Sequence, residues 1–229
     1  MFKNLKYWAI ALSACISCRV IAQPLPDKAD TIVNISHPDM WAYDVLHLPV
    51  LHSPKPARPI VVAIVDDGFS FTHKDCKNYF YRNPNEVPGN GIDDDKNGYI
   101  DDVYGWDVAD NDNEVSIPKG KEDDFYHGTM VMSVVIKVAE RCFGAGAPNY
   151  IRIMPVKALP DKFTLKNMEA GYDGIGYAVR QGADIIICAW SGGKYDREKY
   201  QWIFNEAEKK GITIIGSGGN FYSVWAGNG

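Results

Sequence analysis

No stretch of this sequence is apolar for long enough to cross a bilayer as a helix, which takes about 20 residues, so no transmembrane segment is expected. Basic residues are not in excess. Lys and Arg number 24 against 29 Asp and Glu, for a formal net charge of −5. A nucleic-acid partner calls for a basic stripe, so that class is set aside. Cysteine is scarce. Cys15 and Cys18 fall among the first 22 residues, which leaves Cys76, Cys142 and Cys188. Three thiols at wide spacing support neither a disulfide framework nor a zinc site. Internal repeats and low-complexity tracts are missing as well. What is there is a chain of 229 residues, 46% hydrophobic, enough for one large domain with a substantial core.

Residues 1–22 have the pattern of an export signal peptide. Lys3 and Lys6 give a positive start, residues 7–18 a short apolar stretch, and Val20-Ile21-Ala22 small or apolar residues before a cut at Gln23. Leu12-Ser13-Ala14-Cys15 also resembles a lipoprotein box, which would instead put a lipid anchor on Cys15. Ordinary cleavage is the expectation, because a lipoprotein cut leaves a very short apolar core. The chain is then exported: secreted, periplasmic or at the cell surface. Residues 23–57 are rich in Pro, His and Asp and read as an entry arm. Their histidines, His37, His47 and His52, are too scattered for a ligand set.

Ile60-Val61-Val62-Ala63-Ile64-Val65 is a continuous apolar run followed by Asp66-Asp67-Gly68. A strand apolar on both faces belongs in a parallel sheet covered by helices. Carboxylates at its C-terminal end lie where open α/β sheets place their ligands; a capping or turn role is the plainer reading. Further on, strands are expected over 150–159, 183–190 and 211–216, and helices over 165–181 and 197–210, with Gly182 and Gly211 as stops. Strands alternating with helices make βαβ units. The expected fold is α/β, a doubly wound, mostly parallel sheet with helices on both faces.

Residues 80–113 interrupt this pattern as a polar insertion. Inside it Asp93, Asp95, Asn97, Gly98, Tyr99 and Asp101 match the first nine positions of an EF-hand-type loop. Oxygen ligands recur at alternate positions and Gly98 makes the sharp turn. The expectation is a structural Ca²⁺ site with ligands Asp93, Asp95, Asn97, Tyr99 and Asp101; a solvated acidic turn is the plainer reading. Tyr104 stands at the twelfth position in place of a bidentate Glu, and Asp102 is the candidate substitute.

His127 opens the run His127-Gly128-Thr129-Met130-Val131-Met132. Met130, Val131, Val134, Val135 and Val138 fall on one helical face, which predicts a helix that buries that face and holds His127 at its N-terminal end. On its own this is a histidine that merely begins a core helix. However, Asp66, Ser191-Gly192 and Asn220 each close an apolar strand and so share one sheet edge, beside the start of the His127 helix. A base, a carboxylate to orient it and an amide donor are what acyl transfer needs besides a nucleophile.

With these residues in view, the chain resembles the subtilisin-like serine proteases (subtilases, peptidase family S8). Val62-Ala63-Ile64-Val65-Asp66-Asp67-Gly68 is similar to the family's aspartate motif, and His73-Lys74-Asp75 follows it at the family's spacing. His127-Gly128-Thr129 is similar to the histidine motif, with Met130 where the family has a second His and Met132 where it has Ala. Ile153-Met154-Pro155-Val156-Lys157 and Gly216-Ser217-Gly218-Gly219-Asn220 match two further stretches. The order, Asp before His, is that of subtilisin. The resemblance covers about residues 58–220.

That resemblance implies a secreted serine endopeptidase acting on polypeptides. His127 is then the general base, Asp66 the carboxylate that holds its tautomer, and Asn220 the oxyanion donor. Ala189, Trp190, Ser191 and Gly192 are the edge that pairs with substrate, although Ala189 and Ser191 depart from the family's residues there. Asp75 would serve the family's separate calcium site, but residues 138–143 lack the usual asparagines. Cys76 and Cys142 would lie within reach of a disulfide. The nucleophile's Gly-Thr-Ser-Met-Ala motif does not occur among these residues. Ser191, Ser217 and Ser223 sit on strand ends or in the tail. The expectation is a partial subtilase catalytic domain over 58–229, with Asp and His but without the nucleophilic Ser, and inactive in isolation. The alternatives are a pseudoprotease that binds peptide without cutting it, and a calcium-stabilised surface module using only 80–113.

Overall fold

In the computed structural model, residues 41–52, 54–162, 168, 170–191 and 195–218 are described. Helix α1 (Trp41–Val45) belongs to a unit ending at Leu46; the sheet and its helices belong to the unit that starts at His47.

The apolar run before Asp66 becomes β1 (Ile60–Asp66), the central strand of a five-stranded sheet. Its partners are β2 (Trp106–Asp107), β3 (Ile151–Lys157), β4 (Ile185–Cys188) and β5 (Thr213–Gly216), in the order β2-β3-β1-β4-β5. All pairings are parallel. Alternate side chains of β1 enter opposite layers. Ala63 and Val65 join Met154, Val156, Ile186 and Cys188 beneath helices α3 (Gly171–Arg180) and α4 (Arg197–Lys210). Val62 and Ile64 join Ile153, Met132 and Ile136 beneath helix α2 (His127–Phe143). This double burial is why the run carries no alternation. The architecture is the doubly wound α/β sheet, with helices on both faces, that the pattern predicts.

Details differ. The face that α2 buries consists of Gly128, Met132, Ile136, Ala139 and Cys142. Val131 and Val135 flank it, whereas Met130 and Val134 of the expected face are exposed. Apolar residues surround much of this helix, so periodicity alone misjudged its rotation. The helix expected over 165–181 is seen as Gly171–Arg180, with 163–167 and 169 outside the described residues. Gly171 packs under the Trp190 indole, and a Cβ there would lie 2.4 Å from the ring. α4 stops as expected at Gly211, whose φ of 67° is left-handed. The two-residue β2, inside the polar insertion, carries no periodic signal and was not foreseen. Cys76, Cys142 and Cys188 are all free, buried thiols, so the implied Cys76–Cys142 disulfide is not made.

Candidate active site

β1 ends in Asp66, which is completely buried, and α2 begins at His127 directly above it. The approach is close. A Cβ on Gly128 would lie 2.5 Å from the Gly68 carbonyl oxygen and 3.0 Å from the Asp66 Cβ, so only glycine fits the second residue of this helix. Thr129 adds a tie, its Oγ1 accepting the Ser70 amide at 2.9 Å. The motif His-Gly-Thr thus has a packing logic: each residue joins the helix start to the end of the strand.

His127 Nδ1 lies 2.9 and 3.0 Å from the two carboxylate oxygens of Asp66. An ionised carboxylate only accepts, so Nδ1 carries the hydrogen and Nε2 is the basic nitrogen. The imidazole is 44% exposed while the Asp66 carboxylate is wholly enclosed. The hydrogen bond to Asp66 raises the histidine pKa above its ordinary value; burial opposes this, and the charges of Asp66 and Asp67 add to it. The pair is built to hold one tautomer and to stabilise a proton taken up at Nε2.

Sequence reasoning placed Asp67 only within a motif. Its carboxylate in fact accepts the His127 amide at 3.0 Å and the Gly128 amide at 2.7 Å. Lys157 was likewise passed over as a strand residue. Its buried ammonium pairs with Asp107 at 2.6 Å, contacts Asp161, and lies 5.7 Å from the Phe125 ring centroid.

The expected substrate edge follows β4 directly. Trp190 turns inward, its indole N–H donating to the Val65 carbonyl at 2.8 Å, with Tyr172 edge-on to the ring. Ser217 donates its amide to the Cys188 carbonyl and its hydroxyl to the Trp190 carbonyl. Ala189 and Ser191 complete the described part of that edge; Gly192 and Asn220 lie outside the described residues.

Of the expected calcium ligands, Asp93 and Asp95 meet at the Asn97 amide, which donates to the Oδ1 of each. Asp93 accepts the Asn97 and Gly98 amides, Asn97 the Tyr99 amide, and Asp101 the Asn90 and Gly91 amides. The Tyr99 ring packs edge-on against Trp106 and Tyr177. The carboxylates that converge are Glu86, Asp95 and Asp102, with ligand atoms within 4.8 Å of one another. Only Asp95 is common to both sets. Glu86 is buried, and its Oε2 has no hydrogen-bond partner. Asp102 accepts from Tyr177 Oη, Asn83 and Asn97, yet burial pushes its carboxyl up to about 6. An orphaned, buried oxygen among hard oxygen donors suits a calcium ion. A second acidic group, Asp107, Asp110 and Asp161, already holds the Lys157 ammonium.

A model described as the subtilase family matches residues 57–228. The chain belongs to the subtilase family. Among curated proteins this subtilase is 30% identical to subtilisin-like protease 1 of Plasmodium vivax over 146 residues, covering 63% of this chain and 21% of that protein. It is 25% identical to the major intracellular serine protease of Bacillus subtilis (strain 168) over 186 residues, covering 81% and 47%. It also matches the solved structure of the epidermin leader peptide processing serine protease EpiP from Staphylococcus aureus, with 22% identity and a TM-score of 0.41, covering 78% of this chain and 40% of that one. The subtilase chain spans less than half the length of each of these relatives.

Proposed function

We propose that this subtilase domain serves peptide-bond hydrolysis, with His127 as general base and Asp66 as its orienting carboxylate. The observation that carries the reading is the two-oxygen contact of a fully buried Asp66 with Nδ1 of a half-exposed imidazole. Nε2 takes the proton of a serine hydroxyl as its oxygen attacks the peptide carbonyl, and returns it to the leaving amine. Asp66 stabilises the imidazolium in between. Asn220 donates to the oxyanion, a contact worth about 3–4 kcal/mol in the subtilisin example on which that rule rests. Ala189 to Gly192 guide the polypeptide.

No serine in these 229 residues stands in the Gly-Thr-Ser-Met-Ala context, so the nucleophile comes from outside this sequence. The isolated chain is then inert to a fluorophosphonate probe, because the attacking atom is not there. The DNA immediately downstream should encode the missing motif. The joined product should take the label, and lose hydrolysis in the His127→Ala variant. Labelling of Ser191, Ser217 or Ser223 in the isolated chain refutes the reading, as does a joined product that cleaves peptides equally well without His127.

Two further readings belong with this one. The pattern of Lys3, Lys6 and the following apolar stretch supports export, with cleavage before Gln23. The group of Glu86, Asp95 and Asp102 supports a structural Ca²⁺ that fastens the insertion, since a hard cation would satisfy the orphaned Glu86 oxygen.

A further inference from the structure

Asp67 touches both members of the dyad. Its backbone N–H donates to Asp66 Oδ1 at 2.8 Å. Its carboxylate accepts the amides of His127 and Gly128. Tyr126, the residue before α2, is in a helical conformation and its side chain makes no cap. The first amides of a helix have no partner within it, so Asp67 caps α2 from another element.

The two carboxylate oxygens take one amide each, where a serine hydroxyl would take one in all, and they do so at the cost of a second negative charge beside the buried Asp66. Asp67 is only 5% exposed, and burial pushes its carboxyl up to about 6; the Gly128 and His127 amides and the His127 charge oppose this, and Asp66 adds to it. What the charge does is electrostatic. A helix N-terminus carries roughly half a positive charge. His127 is the first residue of α2, so that charge opposes protonation of the imidazole that must accept a proton.

We propose that Asp67 is a positioning residue for His127: it fixes the first turn of α2 so that Nδ1 meets Asp66, and it offsets the helix N-terminus so that the ring can carry a proton. The role rests on reading His127 as a base, but it can be tested on the ring itself. The groups facing Asp67 are Asp66, His127 and the Gly128 amide, and the first two stay in place in the variants below.

The experiment is NMR on the full chain, following the His127 ring titration and amide exchange, in wild type, Asp67→Asn and Asp67→Ser. Circular dichroism checks the fold. The His127 titration should move to lower pH in both variants, because both remove the charge. Exchange of the His127 and Gly128 amides should quicken in both variants, about tenfold for the amide that loses its acceptor, because Asn and Ser each offer one oxygen in place of the two carboxylate oxygens. An unmoved titration in folded variants overturns the proposal. So does loss of fold in both, which would make Asp67 a structural cap alone. If only the Asn variant unfolds, the Ser variant decides. Hydrolysis by the joined product is read separately, so failure of one idea leaves the other standing.

Discussion

Replacing Gly128 with alanine sets helix propensity against packing, and the two predict opposite signs. In an ordinary helix interior the change stabilises by about 0.5–1 kcal/mol, because glycine loses more backbone freedom on folding. Here the new Cβ would meet the Gly68 carbonyl oxygen at 2.5 Å, the Asp66 Cβ at 3.0 Å and Asp67 Oδ1 at 3.2 Å. Two of these neighbours are backbone or next to it and cannot swing away. Restoring an ordinary contact requires the first turn of α2 to lift by about 1 Å. Overpacking of this kind costs about 1–3 kcal/mol. The same lift stretches the Gly128 amide bond to Asp67 from 2.7 Å and the His127 contact with Asp66 from 2.9 Å. Those losses add about 1 kcal/mol or more. After the propensity gain is subtracted, the variant should be about 2–3 kcal/mol less stable. Urea unfolding followed by tryptophan fluorescence measures this, with NMR of the His127 ring as the local reporter. A variant as stable as wild type or more so, with unchanged ring signals, would refute the close approach of helix and strand.

Other outcomes follow from the buried charges. Stripping divalent cations should lower the melting temperature; if calcium had been present at 100 times its Kd, about 2.7 kcal/mol is lost. Glu86→Gln and Asp102→Asn should abolish the calcium response, and a response intact in both would remove the assignment. Lys157→Met leaves Asp107, 1% exposed, without its counter-charge, which should cost about 3–5 kcal/mol in denaturant unfolding; a cost under about 1 kcal/mol would refute the pairing as a structural clamp. The Asp102 carboxyl is raised from 3.8 to about 6. The folded state therefore keeps a proton that the unfolded chain has already released, and stability in calcium-free buffer falls as pH rises from about 4 to about 6, by about 3 kcal/mol. Asp102→Asn should lack that part of the fall; identical slopes would count against it.

The strands were legible because burial on both faces leaves an unmistakable run, as in Ile60–Asp66 and Ile185–Cys188. The Asp66–His127 pair was legible because each residue closes or opens an element on one edge of the sheet. Asp67 was not, because its work is done sixty residues away: no local pattern says that a turn aspartate caps a distant helix. Glu86 was missed for a similar reason. It stands outside the alternating loop, and only folding of the insertion brings it to Asp95 and Asp102. The burial of Met132 over Met130 was hidden by a helix apolar on most sides. Gly128 could have been read from its place between a histidine and a threonine, yet what it prevents becomes visible only in the contact with Gly68.

The central place of β1 also has a consequence in time. It is the first strand of the sheet to be synthesised, but both its neighbours come much later: Ile60 pairs with Ile151, and Val62 with Ile185. Pairings this distant in sequence are slow to form, since a long loop must close before any contact rewards it. At a synthesis rate of about 5–20 residues per second, β1 waits several seconds or more for β4 to exist. During that wait the face carrying Ala63 and Val65, which α3 and α4 cover, stays open. Asp66 and His127, 61 positions apart, are both made before Trp190, whose indole closes on the Val65 carbonyl only after β4 has been synthesised.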